Sequence, residues 1–224
     1  MNKAISFVRL DFITIKPYLT VKNFCLFAGV ALILLVVNNS ASGAIGLLMS
    51  FAALFSSYPF AIGEKSNIDV LYTTLSIERN TVVLGRYLFS LILDLFAGLF
   101  TFFFSFAVLT ILQKDFGVME ALVTILALFF VFSVIQALQL PIYFKLNYTK
   151  AKVIAYMPFI VLPLAVMVGS SFFDGVFSLD QIVRLFAIIA ANPLTAVLLC
   201  LAIWFGIIAV SYRVSVALYQ KREF

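Results

Sequence analysis

Six apolar stretches, at residues 17–37, 43–63, 87–112, 121–144, 153–173 and 194–212, dominate this chain of 224 residues. Each is long enough to cross a bilayer, which takes about 20 apolar residues in a helix. Inside lipid every backbone N–H and C=O must be paired within the protein, so such stretches fold as helices. The expected fold is therefore an all-α integral membrane protein of six transmembrane helices, and the short connections leave no room for a soluble domain. Composition excludes the main alternatives. The chain is 64% hydrophobic and 11% charged, against about 45–50% and 25% in soluble domains, which rules out a water-soluble enzyme or a nucleic-acid binder. It has no histidine, so Ser-His, Cys-His and His-metal chemistry are absent; no cofactor, metal or nucleotide site is expected. Cys25 and Cys200 lie within apolar runs without a CxxC spacing and read as small core hydrophobes.

Charge orients the spans. With the N-terminus inside, 13 of the 15 Lys and Arg residues fall on inner segments, leaving Lys114 and Arg184 outside. The positive-inside rule then places both termini in the cytoplasm. Pro17 reads as the first turn of span one, and a cleavable leader ending near Ala41 is the alternative use of that run. Ahead of it, Ala4, Ile5, Phe7, Val8, Leu10, Phe12 and Ile13 interleave with Lys3, Arg9, Asp11 and Lys16, a pattern for a helix lying at the inner membrane surface or for a frayed tail.

Several features within the spans point to packing or function. Gly43, Gly46, Ser50, Ala53 and Ser57 recur every three or four residues and form a ridge of small side chains, suited either to a partner copy or to packing within one bundle. Asp94 lies about 12 Å into the membrane from Arg86, and Ser90, Gly98, Thr101 and Ser105 share its face. Gln136 and Gln139 on the next span lie at similar depths, so one of them is expected to hydrogen-bond Asp94, as structural glue or as part of a proton or cation site. Pro158 and Pro163 predict a kinked or broken fifth span, a hinge or a static bend. Ser178 and Gln181 have capping-box spacing and open a short outer helix, which Asn192 and Pro193 end. The long inner segment from Glu64 to Arg86 carries its own helix signals from Ser66 to Tyr72 and again after Ser76.

The run from Glu64 to Arg79, continued by Thr81-Val82-Val83-Leu84-Gly85-Arg86-Tyr87, resembles the matching segment of the permease subunits of bacterial type-2 ATP-binding-cassette exporters. Ser76 stands where that family often has Pro, and Arg86 where it has Lys. A closely similar group exports phenol-soluble-modulin peptides. The resemblance implies a permease in the bacterial cytoplasmic membrane that pairs with a second permease copy or a similar subunit. Separate ATPase subunits would hold ATP and Mg. It implies that Ile68 to Thr74 is the coupling helix, with Glu64, Lys65, Ile68, Asp69, Leu71 and Tyr72 facing the ATPase, and that Lys145, Lys150 and Lys152 form a second contact. It further implies that spans two and five line the dimer seam or pathway. Gly46, Ser50, Phe51, Ala53, Phe55, Ser57, Tyr58, Pro158 and Pro163 would stand there, and by composition Phe51, Phe55, Tyr58 and the fifth-span apolar residues would suit an amphipathic or lipophilic cargo. The alternative is an ATP-independent binding module, such as the substrate-capturing subunit of a vitamin importer, or a small secondary carrier.

Overall fold

A computed structural model describes residues 2–161 and 193–222, apart from 19, 39, 67, 75, 76 and 147. The described residues are helical and contain no strand. In order they form α1 (Asn2–Ile15), α2 (Val21–Asn38), α3 (Ala41–Phe55), α4 (Tyr58–Lys65), α5 (Ile68–Thr74), α6 (Arg79–Ile111) and α7 (Val118–Lys145). A helix over residues 148–161 follows (α8), and α9 is Pro193–Gln220. Five helices are long and apolar enough to cross a membrane: α2, the α3–α4 pair, α6, α7 and α9. The fifth predicted span is described only as far as α8. The outer segment with Ser178, Gln181 and Asn192, and Pro163 with it, lies outside the described residues.

Several boundaries differ from expectation, each for a local reason. Pro17 is not in the first turn of α2: α1 ends at Ile15, a turn takes residues 16–18, and α2 starts at Val21. Thr20 Oγ1 accepts from Asn23 N at 3.4 Å, and Asn23 Nδ2 donates to Tyr18 O at 2.9 Å, so this polar pair sets the start. The second span is interrupted at Ser56-Ser57, where Phe60 N and Ala61 N both donate to Ser57 O. Pro59, in the first turn of α4, has no N–H to continue the ladder of α3. At Pro158, by contrast, α8 runs unbroken. The third span starts at Arg79, well before Tyr87, and the last reaches Gln220.

The core packs α3 against α2, α6 and α7. Ala31, Leu35, Ala44, Ile45 and Met49 meet Leu109, Ala121 and Ile135. Gly98 allows α6 to approach α7 closely, because a Cβ there would lie 2.8 Å from Ile125 Cγ2. Cys25 and Cys200 sit on the outside of the bundle, not in its core.

The N-terminal helix is not a frayed tail but packs on the bundle. Ala4, Val8, Asp11 and Ile15, spaced by four, three and four, are all buried. They press α1 across α6 at Gly85, where a Cβ would meet Phe7 Cβ at 2.6 Å. Ile5, Leu10 and Ile13 face outward, an apolar exterior suited to lipid.

Candidate functional site

One end of the bundle gathers the α4–α5 connection, the start of α6, the α7–α8 turn and the last turn of α9. Lys65, Lys145, Lys150, Lys152 and Lys221 are all exposed there. The opposite end holds Lys114 and Glu120. Lys114 Nζ donates to Val36 O at 3.4 Å, and Glu120 Oε1 accepts from Ser42 Oγ at 2.8 Å. Among the described residues, exposed basic side chains are thus concentrated at one end, where the expected coupling residues also fall.

At that basic end α5 is anchored by its own aromatic residue. Tyr72 is buried, with its ring edge-on to Phe7 at 5.2 Å, in a cluster with Val82, Val83, Tyr87, Phe144 and Tyr219. Ile77 N donates to Tyr72 O at 3.0 Å and closes the turn into α6. Ile68 packs partly against the same cluster, whereas Leu71 is 53% exposed. Tyr72 was expected to face a partner; its position makes it the anchor of α5, and Leu71 is the outward residue. The Asp69 side chain lies outside the described set. Glu64 also differs from expectation. Its Oε2 accepts from Thr149 N at 2.9 Å, so the carboxylate caps the first turn of α8, where the helix dipole favours negative charge. Glu64 thereby ties the first basic-end connection to the second.

Next to α5, Arg86 Nε lies 3.3 Å from Asp11 Oδ2, with both side chains buried. The Arg86 guanidinium stacks over the Phe60 ring at 4.7 Å. Burial pushes the Asp11 carboxyl up to about 6, and Arg86 offsets part of that rise. This ion pair joins α1 to α6. Sequence reading did not pair these two residues; the 4-3-4 spacing of Ala4, Val8, Asp11 and Ile15 is the signal that Asp11 faces inward.

Deeper in the membrane, Gln136 Nε2 donates to Asp94 Oδ1 at 3.1 Å, the cross-helix bond expected between these spans. Ser90, Asp94, Thr101 and Ser105 are all buried, so the polar stripe of α6 faces the bundle. Asp94 Oδ2 and Gln136 Oε1 have no hydrogen-bond partner among the described residues. Gln139 serves a different joint, donating to Ala155 O of α8 at 2.6 Å. Two further polar ties, which sequence reading missed, hold α9. Tyr87 OH meets Ser211 Oγ at 2.5 Å and Ser215 Oγ at 2.8 Å, and Trp204 Nε1 donates to Ser133 Oγ at 2.6 Å. The i, i+4 serines of α9 were the available signal.

The small-residue ridge turns largely inward. Ala53 and Ser57 are buried, Ser57 Oγ lies 3.1 Å from Tyr156 OH of α8, and a Cβ on Gly46 would touch Leu128 of α7. Gly46 and Ser50 are half-buried, and Ser50 Oγ donates to Leu47 O. Span two therefore meets α8 at Ser57 within one chain. Phe51 and Phe55 are on another face. With Phe24, Phe27, Phe96 and Phe100 they line an aromatic cleft of about 670 Å³ between α2, α3 and α6. The Tyr58 ring is tilted against the lining residue Phe55 at 5.0 Å and edge-on to Tyr18 at 5.1 Å. Pro158 is half-buried on α8.

Residues 6–220 match the family described as ABC-2 family transporter protein. No curated protein matches the chain.

Proposed function

Because the chain belongs to the ABC-2 family of transporter proteins, a multi-pass membrane component of an ATP-binding-cassette transporter, we propose that it is the permease half of an exporter driven by separate ATPase subunits. Two permeases, identical or similar, form the pathway, and ATP and Mg are held by the ATPases. Both termini face the cytoplasm, because the basic end is then the inner one. The observation that carries this reading is α5. It is a short helix pinned to the basic end by Tyr72, leaves Leu71 outside, and is flanked by exposed Lys65 and Lys145. A helix held that way passes a push from a soluble partner to α6 through the closed turn at Ile77.

The cargo we infer is amphipathic or lipophilic, of the kind that phenol-soluble-modulin exporters carry. The aromatic cleft at Phe51 and Phe55 supports this: its walls offer apolar faces and one amide, Asn23, and no charge to bind a sugar phosphate or bare ion. Work of this kind is conformational. ATP closes the ATPase pair, the pair moves α5, and the spans shift between two packings.

Affinity purification of the tagged chain in mild detergent tests the reading. An ATP-hydrolysing subunit should co-purify at about one copy per permease, and Leu71→Asp should weaken that association while the permease stays folded. A lone protein recovered from intact membranes would overturn it. Normal association of Leu71→Asp would move the contact to Lys145, Lys150 and Lys152.

A further inference from the structure

The last turn of α9 ends in carbonyls beyond the reach of its i→i−4 ladder; Arg222 N donates to Tyr219 O at 3.3 Å, and one side chain gathers the group. Arg79 Nη1 lies 2.8 Å from Tyr219 O, 2.6 Å from Gln220 O and 3.2 Å from Arg222 O. The same guanidinium approaches the Tyr219 ring at 5.8 Å, and that ring is buried against Phe144 at 5.2 Å. Around it the neighbouring residue adds two weaker ties: Gln220 Nε2 donates to Asn80 Oδ1 at 3.3 Å, and Tyr212 OH to Asn80 O at 3.5 Å. A cation at a helix C-terminus is favoured by the dipole as well as by the orphan carbonyls.

Arg79 opens α6 directly after the turn that Ile77 N and Tyr72 O close. From α5 to the end of α9 there is thus a short chain of connections: the anchored Tyr72, a hydrogen-bonded turn, then a guanidinium on three carbonyls. We propose that Arg79 is a positioning residue that clamps the C-terminal turn of α9 to the α5–α6 turn, so that displacement of α5 is passed to α9. The clamp itself rests on geometry alone; its role in transmission rests on the exporter reading above.

Hydrogen-exchange mass spectrometry with an ATPase assay tests both parts. In the permease alone, Arg79→Gln should raise exchange across residues 216–222 by about tenfold or more, because the charge-assisted contacts to all three carbonyls are lost. In the complex with its ATPase, adding ATP and vanadate should change α9 exchange in the wild type. In Arg79→Gln that response should vanish while ATP hydrolysis stays near wild type, and Arg79→Lys should regain part of it. A variant carrying Arg79→Gln, Asn80→Cys and Gln220→Cys, with Cys25 and Cys200 replaced by Ala, should regain the response once a short thiol cross-linker joins the two new sites. Unchanged exchange at 216–222 overturns the clamp. A normal ATP response in Arg79→Gln, or none after cross-linking, overturns transmission. Failure of the wild-type chain to assemble with any ATPase would instead sink the exporter reading and leave the exchange result on the clamp intact.

Discussion

Replacing Asp11 by Asn should tighten the hold of α1 on the bundle at neutral pH, against the intuition that a buried ion pair stabilises. Burial raises the Asp11 carboxyl from its ordinary 3.8 to about 6 even with Arg86 beside it. The docked state therefore binds a proton more strongly than the detached one. For a carboxyl raised on docking, the favourable contribution is complete below pH 3.8 and is lost as pH rises through about 6. The difference is worth ~3 kcal/mol, or roughly two decades in the opening equilibrium of α1. Asparagine stays neutral, so Asp11→Asn should hold the tighter docking at every pH. Removing Arg86 does the opposite: it leaves an uncompensated carboxylate and strips the cation from Phe60. The loss is bounded, because Asp11 takes up a proton once the charge becomes too costly. Hydrogen exchange of the α1 amides between pH 4 and 8, corrected for intrinsic rates, gives the opening constant directly. The wild type should lose protection across that window, and Asp11→Asn should stay flat and end about 100-fold more protected at pH 7. Parallel profiles for the two proteins, or weaker protection in Asp11→Asn at pH 7, would refute the reasoning.

Three other outcomes follow from the packing. Gly85→Ala should weaken α1 docking by about 1–3 kcal/mol, because the new methyl meets Phe7 Cβ at 2.6 Å near its backbone; Gly206→Ala, with nothing within 4 Å, should be neutral or gain up to ~1 kcal/mol of helix propensity, and thermal unfolding in detergent compares them. Gln136→Leu should destabilise by about 1–3 kcal/mol by stranding Asp94, whereas Leu at both positions should recover most of the loss, which denaturant titration of the four proteins would show. Glu64→Ala should loosen the first turn of α8 by about 0.5–2 kcal/mol, seen as faster exchange at Thr149 and the amides after it.

The parts of this fold that were legible in the sequence are those set by lipid. Where solvent is hydrocarbon, apolar run length alone locates a helix, and α2, α3, α6, α7 and α9 follow the runs. The 3-4 spacing of Ser90, Asp94, Gly98, Thr101 and Ser105 named an inward face, and antiparallel depth brought Gln136 to Asp94. Errors cluster at the basic end, where charges meet one another and not lipid. Hydropathy stops at Arg86, but α6 continues back to Arg79 because each arginine has a partner from another element: Asp11 on α1 and the carbonyls of α9. Run length has no term for such contacts. Tyr72 was placed towards a partner because the family's coupling helix falls there; only the long-range cluster with Phe7 and Tyr219 shows it turned inward. Pro59 was overlooked because a run of apolar residues continues on either side of it.

The helices differ greatly in length. At 1.5 Å per residue, the 33 residues of α6 extend about 50 Å and the 28 of α9 about 42 Å, both well beyond a hydrocarbon thickness of about 30 Å. The 18 residues of α2 extend only about 27 Å. Among the described spans α2 therefore has the least length in reserve, and a change in bilayer thickness should bear on it first. In a thicker membrane α6 and α9 can stand more upright, but α2 must draw its flanking turns inward. The turn at residues 16–18 is one of these, and α1 is fastened beyond it. Hydrophobic mismatch would thus be felt first as a pull on α1, and lipid chain length becomes a variable to set deliberately when this protein is reconstituted.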